Sequence, residues 1–184
     1  MLIRGIILGA GKASRMGKDK LNLKLENKSI IETVIENAKE SKLDELVLVY
    51  GKYDINTDIN KLYNADFERG MSTSIKKGLE NFEGDAVMIL LGDMPYVTPN
   101  IIDKLCDEFI SDNKAIAVPV FNGKRGNPVI ISRKYFKELL ENEGDKGARA
   151  IIKSNPNDIH WVEVMDNSIF VDIDDEVSYN SIKK

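Results

Sequence analysis

Residues 2–20 read LIRGIILGAGKASRMGKDK, an apolar run that leads directly into a glycine-rich and basic segment. The run has the length of a β-strand, and Gly9 and Gly11 follow it at once. Glycines let backbone N–H groups approach an anion closely, and cationic side chains neutralise its charge. The segment therefore predicts a strand followed by an anion-binding loop, with Lys12, Arg15, Lys18 and Lys20 as its cations.

The alternation of short apolar runs with helical periodicity continues along the chain and predicts an α/β fold. The predicted strands are Leu2 to Leu8, Leu46 to Tyr50, Ala86 to Leu91, Ala115 to Val118, Val129 to Ile131, Ile159 to Val164 and Phe170 to Ile173. The continuous apolar character of Val87 to Leu91 favours parallel strands covered by helices on both faces. We expect a mostly parallel sheet, mixed at one side, in a single domain over residues 1–184.

Helix starts are marked by local signals. Ser29 and Glu32 form a capping box ahead of an apolar stripe that runs to Ala38. Thr98 and Pro99 suit the N-cap and the first helical position of another helix. Further helices are predicted from near Ser72 through Phe82, from about Arg133 to Glu141, and from Ala148 to Ser154.

Composition excludes several classes of protein. The chain has 26 basic and 30 acidic residues and a formal net charge of −4, which argues against a nucleic-acid coat or a binder of anionic membranes. One Cys and one His exclude a disulfide framework and a Cys/His zinc cluster. Cys106 lies at core spacing in a helix. We expect no signal peptide or membrane span, and hence a cytoplasmic protein.

The first loop fits neither of two well-known phosphate-binding motifs. A P-loop needs Gly, four residues and then Gly-Lys-Ser/Thr, and neither Gly9 nor Gly11 supplies that spacing. A dinucleotide fingerprint would put glycine at Ser14 and an acidic residue after the second long strand, where 49–52 has none. An NAD(P)-dependent oxidoreductase is therefore a remote alternative.

Asp93 directly follows the most apolar predicted strand, in Gly92-Asp93-Met94-Pro95. That position puts its carboxylate at the carboxyl end of the sheet, where open sheets bind ligands. Mg²⁺ prefers a few carboxylates together with phosphate oxygens. Facing a polycationic loop, Asp93 predicts a magnesium site, although a simple turn explains this segment alone. The segments 123–128 and 144–149 are typical of substrate loops or of turns.

Taken in order, several motifs together resemble the molybdenum cofactor cytidylyltransferases, within the nucleotidyltransferases that load a nucleotide onto molybdopterin. The similarity covers nearly the whole chain. The motifs are Leu8-Gly9-Ala10-Gly11, Ser14-Arg15-Met16-Gly17 with Lys20, Asn64, Gly70-Met71-Ser72-Thr73-Ser74-Ile75, Gly92-Asp93-Met94-Pro95, Gly126-Asn127-Pro128-Val129, Gly144-Asp145-Lys146-Gly147-Ala148-Arg149 and Asp172-Ile173-Asp174.

The resemblance implies a three-layer, Rossmann-like nucleotidyltransferase fold and a set of site residues. Arg15, Lys20 and Asp93 would be catalytic, the two cations acting on the triphosphate, and Asp93 and Asp172 would hold Mg²⁺. Asn127, Pro128, Asp172 and Asp174 would lie near the pterin. The nucleotide-binding residues would be Leu8, Gly9, Ala10, Gly11, Ser14, Arg15, Lys20, Asn64, Ser74 and Asp93.

The implied reaction transfers CMP from CTP to molybdopterin and releases pyrophosphate. Cytidylyl enzymes favour Leu-Ala-Ala-Gly and guanylyl enzymes Leu-Ala-Gly-Gly, so Ala10 favours CTP while Gly9 matches neither form. GTP, or a sugar or alcohol phosphate as acceptor, stays an alternative, as does a non-catalytic delivery protein. The resemblance further implies a molybdenum hydroxylase or its maturation chaperone as partner.

Overall fold

The computed structural model describes residues 1–11 and 20–173. In these residues the helices are α1 (Ile30–Lys39), α2 (Met71–Leu79), α3 (Pro99–Ser111), α4 (Phe136–Glu141) and α5 (Arg149–Ser154). The strands are β1 (Ile3–Gly9), β2 (Lys24–Leu25), β3 (Lys28–Ser29), β4 (Glu45–Tyr50), β5 (Asn60–Tyr63), β6 (Ala86–Leu91), β7 (Ile116–Phe121), β8 (Lys124–Arg125), β9 (Val129–Ser132) and β10 (Ile159–Glu163).

The strands of the central sheet follow the order β10-β7-β9-β6-β1-β4-β5, and β8 pairs with β7. β1 is parallel to β4 and to β6, and β10 is parallel to β7. β9 runs antiparallel to both of its neighbours, β6 and β7. The predicted sheet, mostly parallel and mixed at one side, is confirmed. The carboxyl ends of β1, β4, β5, β6, β7 and β10 therefore meet at one edge.

Helices cover both faces of the sheet. Successive side chains of a strand point to opposite faces, and in β6 Met88 joins the core under α1 and α3 while Val87 and Ile89 join the core under α2. Both faces are buried, which explains the uninterrupted apolar sequence of this strand.

The helix start at α1 follows the predicted capping box. The Glu32 N–H donates to Ser29 Oγ at 3.2 Å, and the Ser29 N–H donates to Glu32 Oε2 at 2.5 Å. Thr98 is the N-cap of α3, with Pro99 as its first residue. Helix α2 is shorter than predicted, since it ends at Leu79, and Phe82 beyond it packs against Phe136.

The predicted strand from Phe170 to Ile173 is wrong. Asn167–Phe170 forms a 3-10 turn, because the Asp166 side chain accepts a hydrogen bond from the Ser168 N–H at 2.9 Å and caps it. Residues 171–173 have no regular structure, and the Ile173 N–H donates to the Asp93 carbonyl.

Cys106 and His160 both lie away from the carboxyl edge. Cys106 is 1% exposed in the core, where burial raises the pKa of its thiol to about 12. His160 lies near the amino end of β10, with Nε2 2.8 Å from Glu108 Oε2 and Nδ1 3.1 Å from Asp112 Oδ2. Across the described part of the chain, the helices are too short or too polar to cross a bilayer.

Candidate active site

The ends of β1 and β6 form the centre of the candidate site. The Gly92 N–H donates to the Leu8 carbonyl at 3.1 Å, which ties the turn after β6 to the end of β1. A Cβ atom at Gly92 would lie 2.8 Å from the Leu8 oxygen, so only glycine allows this approach. The tight turn places Asp93 beside the glycine-rich segment that follows β1.

Asp93 is paired with Lys20. Lys20 Nζ lies 2.8 Å from Asp93 Oδ2, and the two side chains are only 15% and 20% exposed. Lys20 begins a 3-10 turn whose next residue, Leu21, is buried in the core and anchors the backbone. Because little solvent reaches this pair, its electrostatic interaction is stronger than that of an exposed ion pair.

Asp93 lines two cavities. One has a volume of about 170 Å³ and is lined by Leu8, Ala10, Gly11, Phe67, Gly70, Met71, Ser74, Leu91, Asp93 and Asp145. The other, of about 70 Å³, is lined by Leu8, Gly9, Gly11, Lys20, Leu21, Tyr53 and Asp93. We call the first the α2 cleft, since Gly70, Met71 and Ser74 come from the start of that helix.

Asn64 connects the end of β5 to α2. Its side chain is 4% exposed, and its Nδ2 donates to Thr73 Oγ1 at 2.9 Å and to Ser74 Oγ at 3.0 Å. Its Oδ1 accepts from the Asp66 N–H at 3.0 Å. Ser74 lines the α2 cleft, whereas Asn64 does not. The hydrogen bond from Asn64 therefore orients the Ser74 hydroxyl without Asn64 itself lining the cleft.

The loop before β9 and the segment 169–173 reach the same edge. The Asn127 N–H donates to the Ile169 carbonyl at 3.1 Å, and the Ile173 N–H donates to the Asp93 carbonyl at 3.0 Å. Pro128 packs with Leu90, Leu91 and Met94 around a small cavity. These contacts bring Asn127 and Asp172, which precedes Ile173, to the Asp93 side of the sheet.

The donor set of this edge fits a magnesium ion that is shared with a phosphate ligand. Mg²⁺ is held by one or two carboxylates plus substrate phosphates and waters, and Asp93 offers one such carboxylate at this edge. In residues 1–11 and 20–173, groups of three or more metal-binding side chains are absent. A site at Asp93 would therefore be completed by the ligand.

The sequence-predicted residues Leu8, Gly9, Ala10, Gly11, Lys20, Ser74 and Asp93 line one or both cavities beside Asp93. Asn64 lies behind the α2 cleft, and Ser14, Arg15 and Asp174 lie outside the described residues. The sequence did not predict Asp145, Met71, Phe67 and Tyr53 as lining residues. Asp145 and Met71 stand in noted motifs, whereas Phe67 and Tyr53 follow strands without any distinctive pattern.

Comparison with known proteins identifies the chain's relatives. Residues 5–159 match the family model described as the MobA-like NTP transferase domain. The molybdenum cofactor cytidylyltransferase of Escherichia coli K12 is 28% identical over 177 residues, which cover 92% of this chain and 89% of that protein. A probable molybdenum cofactor guanylyltransferase of Natranaerobius thermophilus is 33% identical over 127 residues, covering 66% of this chain and 62% of that protein.

Solved structures share the fold over almost the whole chain. A crystal structure of a Mycobacterium tuberculosis H37Rv protein superposes with a TM-score of 0.88 at 25% identity, covering 99% of this chain and 97% of that one. A complex of the same protein with manganese gives a TM-score of 0.84 at 22% identity, covering 99% and 98% of the two chains.

Proposed function

The chain belongs to the MobA-like NTP transferase family, and we propose that it transfers CMP from CTP to the phosphate of molybdopterin. The observation that carries the proposal is the Lys20–Asp93 pair, at 2.8 Å, held between a glycine turn and the α2 cleft. It combines a carboxylate for a divalent cation with a cation for phosphate at the edge where open α/β sheets bind ligands.

In the proposed reaction, a phosphate oxygen of molybdopterin attacks the α-phosphorus of CTP. The new P–O bond forms as the bond between the α-phosphorus and the bridging oxygen breaks, and pyrophosphate leaves with the electron pair. An ionised phosphate needs no general base, so the position of His160 far from this edge is no obstacle.

Catalysis would then depend on positioning and on charge stabilisation. Asp93, with Asp172 as a second candidate, would hold Mg²⁺, which would neutralise phosphate oxygens when bound. Manganese bound to the M. tuberculosis protein supports a divalent metal here. Lys20 would exchange its contact with Asp93 for the triphosphate, and Arg15 would join it. Asn127 and Pro128 would contact the pterin.

The choice of CTP as donor is supported by Ala10 and by the E. coli cytidylyltransferase, which is similar over 92% of this chain. The N. thermophilus guanylyltransferase is similar over a shorter stretch but at 33% identity, so GTP is the second candidate. The resemblance extends the proposal to a molybdenum hydroxylase or its maturation chaperone as recipient of the product.

The test is a transfer assay with purified protein, molybdopterin and each of four α-labelled nucleoside triphosphates in the presence of Mg²⁺. We expect pyrophosphate release and label on the pterin with CTP, and neither product when molybdopterin is omitted or EDTA is added. Label from GTP alone would replace CTP by GTP as the donor. Transfer to a sugar phosphate but not to molybdopterin would overturn the proposed acceptor.

A further inference from the structure

The loop 144–147 packs directly on the start of α2. Gly70, the N-cap of α2, has φ +114, and a Cβ atom there would lie 2.4 Å from the carbonyl carbon of Gly144. Gly147 closes the other end of the loop, where its carbonyl accepts from Asn142 Nδ2 at 3.0 Å. The loop that contains Asp145 is thus packed tightly against the start of α2, which is distant in sequence.

Asp145 uses this contact to cap the helix. Its Oδ1 accepts a hydrogen bond from the Met71 N–H, the first amide of α2, at 3.1 Å. Helix N-termini attract anions, and here the chain supplies the anion itself. A ligand phosphate beside Asp145 would meet a negative charge, so we assign the phosphates to the smaller cavity, which Lys20 lines.

The carboxylate also lines the α2 cleft, together with Ala10, Gly11, Ser74 and Asp93. An ionised carboxylate only accepts hydrogen bonds, and it has two oxygens with several acceptor sites. With Oδ1 engaged by Met71, Oδ2 still has capacity for a donor on a ligand. The wall formed by Asp145 therefore favours ligand groups that donate and disfavours groups that accept.

We infer that Asp145 is a specificity-determining residue, which accepts a hydrogen bond from the nucleobase and selects bases with an amino group over uracil. The inference rests on the proposed function and narrows its donor substrates. Cytosine carries an amino group at the position where uracil carries a carbonyl oxygen. Guanine also presents donors, so Asp145 separates CTP and GTP from UTP rather than from each other.

The test measures binding of CTP and of UTP with Mg²⁺, without an acceptor, by calorimetric titration of the full chain. We expect the wild type to bind CTP about tenfold more tightly than UTP, because uracil presents a carbonyl oxygen where the Asp145 carboxylate requires a donor. In Asp145→Asn the amide oxygen can still accept from Met71, while the amide nitrogen donates to the uracil carbonyl. That variant should level or reverse the preference.

Glu143→Gln removes the same charge two residues away without lining the cleft, and should keep the wild-type ratio. Asp145→Ala serves as a second variant and should lose the preference without gaining affinity for UTP. A CTP:UTP affinity ratio within twofold of wild type in folded Asp145 variants would overturn the inference alone. If the wild type binds no nucleoside triphosphate, both the inference and the proposed function fail.

Discussion

Two concave regions of this molecule differ greatly in size and in how their charges are held. The α2 cleft, of about 170 Å³, contains Asp93, whose partner Lys20 is 15% exposed. A groove of about 1000 Å³ lies between the β2–β3 hairpin, α1 and the segment after β6. Lys24, in this groove, pairs with Glu32 at 3.5 Å, but its side chain is 61% exposed. We call this second region the α1 groove.

Volume alone would favour the α1 groove. Exposed ion pairs such as Lys28 with Glu36 in the α1 groove contribute little to stability, because solvent screens the charges and ordering the long side chains costs entropy. The α2 cleft instead assembles strand ends, a helix start and a largely buried ion pair from distant parts of the sequence. A fixed backbone and a charged pair with little solvent exposure are features typical of active sites, and they favour the α2 cleft as the candidate site.

The largest effect is expected at Asp93. Asp93→Asn should lower the rate of pyrophosphate release at least about 10³-fold, because a neutral amide holds a divalent cation poorly. Asp58→Asn, at an exposed carboxylate paired with Lys39, is the matched control and should retain full turnover. Both variants should keep the wild-type Tm within a few degrees. Unimpaired turnover of Asp93→Asn would remove the α2 cleft from the mechanism.

Lys20→Met should lower turnover about 10²-fold, since it removes a cation proposed to act on the triphosphate. Without nucleotide, the same variant should bind Mn²⁺ severalfold more tightly, because Lys20 no longer competes for the Asp93 carboxylate. Electron paramagnetic resonance of free Mn²⁺ measures this affinity. Lys28→Met, in the α1 groove, should change neither quantity. Weaker Mn²⁺ binding by Lys20→Met would contradict the idea that Lys20 and the metal ion compete for the Asp93 carboxylate.

Gly70→Ala should destabilise the protein by about 1–3 kcal/mol and weaken nucleotide binding, because a Cβ atom would collide with the loop 144–147. Gly123→Ala is the control, since Gly123 has φ +73 but a Cβ atom there would meet no other atom within 4 Å. It should show only the strain of the backbone conformation, about 1 kcal/mol. Urea unfolding measures both. Equal effects in the two variants would mean that the packing at Gly70 is loose.

The smallest effect is expected on the side of the α1 groove. The Ser29 N–H donates to the Glu32 carboxylate and lowers the Glu32 pKa below its ordinary value of 4.5. The ionised form therefore stabilises the fold at neutral pH, and this contribution is lost as the pH falls through the lowered pKa. Glu32→Gln should cost about 0.5 kcal/mol or less at pH 7, and this cost should shrink as the pH falls through the lowered pKa. Tm values across this range test the sign.

The sequence predicted the features that depend on neighbours along the chain. The Ser29–Glu32 capping box and the position of Asp93 after β6 follow from short spacings. β5 was missed because its residues are only partly buried at the edge of the sheet, which weakens the apolar signal. Phe170 gave a false strand signal in a capped 3-10 turn.

The lining of the cleft depended on contacts that spacing does not encode. Asp145 reaches Met71 across 74 positions of sequence, and only the packing of the loop on Gly70 brings them together. Tyr53 lines the smaller cavity because β4 ends beside β1. Residue type and motif thus indicated the chemistry of the site, while tertiary packing determined which further side chains share it.

The reversed direction of β9 has a consequence for engineering. Because β9 runs against β6, the loop that contains Asn127 enters the site edge ahead of its strand, whereas the loop that contains Asp93 leaves after its strand. The loop that the proposed function assigns to the acceptor thus lies between β8 and β9, and its Asn127 N–H donates to the Ile169 carbonyl. A loop grafted here from a relative should therefore be exchanged together with segment 169–173, because the Ile173 N–H at its far end donates to the Asp93 carbonyl.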